Sequence, residues 1–258
     1  MMKLLITRAE PHASALAEQL TQIGVESCSV PVMNIEPIAL TGVTRNQVLD
    51  LDGFSTVIVV SANAAALLAE HIDHYWPQLP VNLNWVAIGE ATANKLAACL
   101  PELPREAIYI PDGTDSEALL ALSVLASVET QKLLIVKGEG GRQLIQQGLA
   151  ERGARVVELP LYRRQPNLAE SKALKQALSS HCDWIQVASA ESFLFMLEML
   201  GVKGANSNTA ALPHTAKWLV PSLRVADVLI AHGVSSEHIL CCKSASNDAI
   251  VSEVLGAL

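Results

Sequence analysis

Short apolar runs alternate along the chain with stretches whose apolar positions fall three and four apart, which predicts strands and helices in strict succession. Residues 3–7 form a strand-like run, and Leu16, Leu20 and Ile23 mark a helix over 13–23 that Gly24 stops. A strand over 26–30 completes a βαβ unit. The β-branched run 56–60 leads through Ser61-Ala62-Asn63 into an Ala/Leu-rich helix ending near 70. A strand over 85–88, a turn at Gly89-Glu90-Ala91-Thr92 and a helix over 93–100 ended by Pro101 come next. Residues 107–110 predict another strand, with Asp115 capping a helix over 118–125. Beyond it lie a strand at 132–136, a glycine-rich turn at 138–141, a helix over 142–152 and a strand at 155–159. Strands at 184–188, 217–220 and 238–242, a helix over 225–232 stopped by Gly233, and a last helix capped by Asn247-Asp248 close the pattern.

The opening segment recurs halfway along. Lys3-Leu4-Leu5-Ile6-Thr7-Arg8 returns as Lys132-Leu133-Leu134-Ile135-Val136-Lys137, a shift of 132 − 3 = 129 positions. The same shift carries Leu20 onto Leu149, Gly24 onto Gly153, Pro31 onto Pro160 and Pro37 onto Pro166. Two copies of one αβ unit are therefore expected, each a doubly wound parallel sheet with helices on both faces. Periodicity alone cuts the chain near residue 130, unless the copies exchange halves. Two such lobes would enclose a cleft, a preferred place for small-molecule sites.

Half of the 258 residues are hydrophobic and only 4% aromatic, so the cores must be built from Ala, Val, Leu and Ile, as buried parallel strands are. A formal charge of −8 argues against a nucleic-acid partner, because phosphate contacts need clustered Lys and Arg. Cys28, Cys99, Cys182, Cys241 and Cys242 show neither a CxxC pair nor a metal-ligand spacing, and are expected to be buried thiols in a reducing cytosol. No segment is apolar for long enough to span a membrane, and the start lacks a signal-peptide core.

In doubly wound sheets, ligands bind outside the carboxyl ends of the strands. The residues just past the predicted strands include Thr7 and Arg8, Ser61, Ala62 and Asn63, Gly89 and Thr92, Lys137 and Gly138, Ser189, and Ser222 with Arg224. Hydroxyls, glycines and cations suit carboxylate or phosphate binding, although Ser, Thr and Asn at these places also serve as helix caps. Gly138-Glu139-Gly140-Gly141 lacks both the P-loop ending and the dinucleotide GxGxxG spacing. Tyr162 sits in Pro160-Leu161-Tyr162-Arg163-Arg164-Gln165-Pro166, an extended segment bracketed by prolines. A neutral phenol there can donate a hydrogen bond or a proton to a departing oxygen, or pack as a half-buried ring.

Seven segments together resemble the uroporphyrinogen-III synthase family. They are Leu5-Ile6-Thr7-Arg8, Val60-Ser61-Ala62-Asn63-Ala64-Ala65, Ala87-Ile88-Gly89-Glu90-Ala91-Thr92-Ala93, Ser116-Glu117-Ala118-Leu119-Leu120, Lys137-Gly138-Glu139-Gly140-Gly141-Arg142, Pro160-Leu161-Tyr162-Arg163-Arg164 and Ser246-Asn247-Asp248-Ala249-Ile250. Their order and spacing carry the likeness. Val220-Pro221-Ser222-Leu223-Arg224 departs from the Gly-x-Thr-Ala turn common in that family.

The resemblance implies two interleaved α/β lobes, residues 1–36 with 167–258 and residues 37–166, joined by two extended strands. It also implies a reaction: the linear tetrapyrrole hydroxymethylbilane is dehydrated and closed into a ring with its terminal D pyrrole inverted, without cofactor or metal. Tyr162 would be the catalytic side chain, and Thr7, Arg8, Ser61, Gly89, Thr92, Lys137, Ser189 and Ser222 would hold carboxylates. A cytoplasmic monomer without nucleic-acid or membrane partners is expected. The alternatives are a non-catalytic two-lobed protein that closes on a small anion, and a two-lobed sugar-nucleotide enzyme.

Overall fold

The computed structural model describes residues 2–113, 115–141, 143–180, 182–202 and 212–256. The chain forms two compact units, Met1–Asn34 with Gln165–Leu258 and Ile35–Arg164. It passes from one to the other within two strands, β3 (Met33–Pro37) and β8 (Arg155–Pro166).

The first unit holds β1 (Lys3–Ile6), β2 (Glu26–Ser29), β9 (Trp184–Gln186), β10 (Lys217–Val220) and β11 (Ile239–Cys241), all parallel, in the order β11-β10-β9-β1-β2. Counted along the chain, this is the 2-1-3-4-5 order of a doubly wound sheet, whose direction of winding switches between β1 and β9. Successive strand residues point to opposite faces. Leu4, Ile6, Trp184 and Leu219 meet Leu16 and Leu20 of α1 (His12–Gln22) and Ile250 of α10 (Asn247–Gly256). Leu5, Ile185 and Trp218 meet α7 (Ser171–Ser179), α8 (Ala190–Leu200) and α9 (Leu223–Ala231) through Leu174, Phe193 and Leu229.

The second unit repeats the design with its halves in reverse chain order. Its sheet runs β3-β8-β7-β4-β5-β6, where β4 is Thr56–Val59, β5 Asn84–Ala87, β6 Ile108–Tyr109 and β7 Lys132–Gly138. Setting aside edge strand β3, β7 and β8 stand where β1 and β2 stand in the first unit, and β4, β5 and β6 correspond to β9, β10 and β11. The switch point lies between β7 and β4. Val57, Val59, Leu134 and Val136 face Leu68 of α3 (Ala62–Tyr75) and Leu96 of α4 (Glu90–Cys99). Ile58, Leu133 and Ile135 face Leu119 of α5 (Ser116–Leu120) and Leu149 of α6 (Leu144–Glu151). Each such buried aliphatic side chain stabilises the fold by about 1.5–3 kcal/mol, enough to lock the register.

Several elements depart from the sequence expectation. Strand β3, helices α7 and α8 and the helix α2 (Gly42–Leu49) are additional; α2 buries only Val48, so its periodicity is faint. The turn at Glu90-Ala91-Thr92 is instead the first turn of α4, with Gly89 as its N-cap. Asp115 caps α5 through Ala118 N–H at 2.7 Å. The cap of α10 is Ser246, whose Oγ accepts from Ala249 N at 3.2 Å, whereas Asn247 is turned to Arg8. The expected helix start at residue 142 lies outside the described residues.

Candidate active site

In the second unit the register brings four expected residues into one row. Val59 pairs with both Val136 and Ala87, so two residues on Ser61 stands level with Gly138 and Gly89. Gly138 in turn pairs with Tyr162, across a register shift. Lys137 opposes Pro160 but Gly138 opposes Tyr162, so Leu161 is the extra residue of a β-bulge. Without that extra residue, Tyr162 would share the face of Glu158. With it, the ring is turned onto the α3/α4 face, where it is 4% exposed.

The phenol is held from three sides. Ser61 Oγ lies 3.0 Å from Tyr162 Oη. Ser61 is also the N-cap of α3 and accepts from Ala64 N at 3.1 Å. Gly138 forms the floor beneath the ring: a Cβ there would lie 2.7 Å from two ring carbons and 3.0 Å from the hydroxyl. Glu139 N–H donates to the Tyr162 carbonyl at 2.7 Å, closing the bulge. Ala62 is half-buried, Asn63 is exposed, Gly89 is buried, and Thr92 is buried with its N–H donating to the Gly89 carbonyl at 3.1 Å. Gly140 and Gly141 have φ of +73° and +85°, so the glycine run turns the backbone toward α6.

Lys137 takes a different direction from Tyr162. It lies on the α5/α6 face of β7, and its Nζ is 2.8 Å from Glu158 Oε1, a partner that sequence reasoning missed. A carboxylate in the otherwise apolar run Val156-Val157-Glu158-Leu159 was the available signal.

The first unit has a comparable polar edge. Thr7 is buried and donates through Oγ1 to the Gln186 carbonyl at 2.7 Å. Arg8 is half-buried and bonds to Asn247 Oδ1 at 2.7 Å. Burial lowers its pKa from the usual guanidinium value, and among the described residues no carboxylate forms an ion pair with it. Ser189 caps α8 in a reciprocal box with Ser192, its Oγ accepting from Ser192 N–H at 3.1 Å and its own N–H donating to Ser192 Oγ at 2.9 Å. Ser222 occupies the N-cap of α9 without a side-chain cap bond, and Arg224 is exposed in the first turn. Among the described residues no three His, Cys, Asp or Glu side chains converge as a metal-ligating group, and no helix is long and apolar enough to cross a membrane.

These features define a duplicated, doubly wound α/β protein with polar carboxyl edges, one of which carries a buried phenol. The family model described as uroporphyrinogen-III synthase HemD matches residues 14–252, and the chain belongs to that family, the cyclising lyase-type enzymes of tetrapyrrole biosynthesis. It is 30% identical over 164 residues to the uroporphyrinogen-III synthase of Proteus mirabilis, covering 63% of this chain and 80% of that protein. The match to the Escherichia coli enzyme is 30% over 166 residues, 63% of this chain and 65% of that one. In fold, the chain is similar to a mutant uroporphyrinogen III synthase of Thermus thermophilus, with a TM-score of 0.61, 20% identity, and 100% and 97% of the two chains covered. A Helicobacter pylori uroporphyrinogen-III synthetase gives 0.57 at 14% identity, covering all of both chains.

Proposed function

We infer that this chain converts hydroxymethylbilane to uroporphyrinogen III. The substrate's own pyrrole nitrogen drives out its terminal hydroxyl, leaving an electrophilic methylene. Unrestrained, that methylene closes on the free end of ring D to give isomer I. The enzyme's task is to make the substituted carbon of ring D attack first, through a spiro intermediate. Restraint of this kind is worth several kcal/mol without any covalent step on the protein.

Tyr162 is the acid. Its O–H passes a proton to the hydroxyl oxygen as the C–O bond breaks, water leaves, and the proton lost on re-aromatisation returns to the phenolate. Arg8, half-buried and without a carboxylate partner among the described residues, takes a substrate carboxylate, and Ala62, Asn63, Gly89, Thr92, Ser189, Ser222 and Arg224 supply further donors at the two sheet edges, whereas the buried Thr7 hydroxyl already gives its proton to the Gln186 carbonyl. Lys137 contributes less than its residue type suggests, since Glu158 already neutralises it. No cofactor or metal is assigned a step. The protein acts as a monomer in the cytoplasm.

The observation that carries this assignment is the Tyr162 phenol fixed by Ser61 at the strand ends of a chain in this family. A non-catalytic anion binder and a sugar-nucleotide enzyme are not favoured by that membership. The test is to supply the purified protein with hydroxymethylbilane generated in situ and to separate the products. A shift from isomer I to isomer III is expected; an isomer ratio equal to the protein-free control refutes the assignment.

A further inference from the structure

The Ser61 hydroxyl is engaged twice, and this bears on which of two hydrogens lies between it and the phenol. Ser61 Oγ accepts the Ala64 N–H at 3.1 Å, at the start of a fourteen-residue helix whose first amide groups carry partial positive charge. A hydroxyl that already accepts from such a donor becomes a stronger donor and a weaker acceptor. Either oxygen can be the donor in the 3.0 Å contact with Tyr162 Oη, and this engagement favours the hydrogen of Ser61. The phenol's own hydrogen is then free to point away from Ser61, and negative charge arising on its oxygen already has a donor in place.

Gly138 makes the arrangement sterically possible. Its backbone lies outside the left-handed region, so the demand for glycine is one of space: any Cβ would stand 2.7 Å from the ring carbons of Tyr162. The ring cannot retreat without losing either Ser61 or the bulge closed by Glu139 N–H.

We propose that Ser61 and Gly138 are positioning residues for Tyr162, Ser61 donating to the phenol oxygen and Gly138 supplying the floor on which the ring lies. This rests on Tyr162 being the acid, and it takes Ser61 out of the set of carboxylate holders that the resemblance implied. Ser61 serves the leaving group through Tyr162 and never touches a substrate arm.

A mutant cycle tests it, with kcat, KM and isomer ratio measured for wild type, Ser61→Ala, Ser61→Thr, Tyr162→Phe and Ser61→Ala/Tyr162→Phe. Tyr162→Phe should lower kcat about 100-fold. Ser61→Ala should lower kcat about tenfold with KM changed less than about twofold, the loss expected for one hydrogen bond to a reacting group. Ser61→Thr, which keeps both cap and hydroxyl, should restore most of it. In the double variant, kcat should equal that of Tyr162→Phe. Gly138→Ala should likewise cost kcat when residue 162 is Tyr and nothing further when it is Phe, with circular dichroism reporting the fold. Losses that multiply in the double variant, or a Ser61→Ala effect seated in KM, overturn the proposal and return Ser61 to carboxylate binding. A fully active Tyr162→Phe removes the phenol's role and this proposal with it, whereas a wild type that yields no isomer III refutes the functional assignment itself.

Discussion

Ser61 and Ser189 occupy the same place in the two units, each capping the helix that follows the strand beyond the switch point, yet their hydroxyls have different partners. Ser189 is tied to Ser192, three residues along its own helix. Ser61 instead meets Tyr162, 101 positions away. The 129-residue shift that relates the copies takes Tyr162 to Met33, a half-buried thioether with no proton to give. Duplication thus supplied two polar sheet edges, and what distinguishes the second is the single side chain placed opposite its serine. A helix cap acquires a distant hydroxyl partner only when another strand brings one to it.

The sharpest test of this asymmetry after the Ser61 cycle is the pair Arg8 and Lys137, which the same shift relates. Arg8→Gln removes a half-buried cation that has no carboxylate partner among the described residues, and should raise KM about tenfold with little change in thermal stability. Lys137→Gln breaks the ion pair with Glu158, and should lower the melting temperature while leaving KM within about twofold. Steady-state kinetics and thermal melts on both variants check this; a KM effect confined to Lys137→Gln would reverse the roles.

A smaller effect is expected at Ser189. Ser189→Ala should cost about 1 kcal/mol of stability, the usual loss for an N-cap. Its kcat should stay within about twofold of wild type, in contrast to Ser61→Ala. Denaturant titration and turnover on the same preparation compare the two serines directly, and a tenfold kcat loss at Ser189 would erase the distinction.

The smallest expected effect concerns a pair of thiols peculiar to the first unit, which stand where the second has Val157 and Phe54. Of the five thiols expected to be buried, Cys182 and Cys242 are, while Cys28 and Cys99 are half-buried and Cys241 is exposed. Interaction with the Cys182 thiol, with help from Lys3, holds Cys28 down at about 7 against the cost of its burial, while Cys182, whose S–H donates to the Ala177 carbonyl at 3.2 Å, is pushed up by the same interaction and by burial. Cys28 is therefore thiol below that pH and thiolate above it. Its alkylation by iodoacetamide, followed by peptide mass spectrometry, should rise with a midpoint near pH 7. Cys182→Ala should move the midpoint upward toward the ordinary thiol value of about 8.5, and a wild-type midpoint already there would refute the contact.

Much of the fold was legible because the signals were local. Leu16, Leu20 and Gly24 set a helix and its stop, and 56–60 could only be a buried strand. Helix α2 escaped because only Val48 turns inward, and α8 because it is apolar around most of its circumference, which removes the periodicity. The strand tips showed which residue types stand at the sheet edges. They could not show that Lys137 is already paired, since Glu158 comes from the neighbouring strand. Nor could they show that Ser246 rather than Asn247 caps the last helix, since Arg8 competes for Asn247 from the other end of the chain.

By itself the sequence determined the duplication, the alternation of strands and helices, the apolar composition of both cores and the polar residues that end the strands, because each follows from spacing within a few residues. The tertiary structure decided which of those polar residues meet. Tyr162 faces Ser61 only because one extra residue enters β8 beside Pro160, reversing the face on which the ring falls. In a strand the face alternates with every residue, so one inserted position redirects a side chain, and only the neighbouring strand shows where the insertion lies.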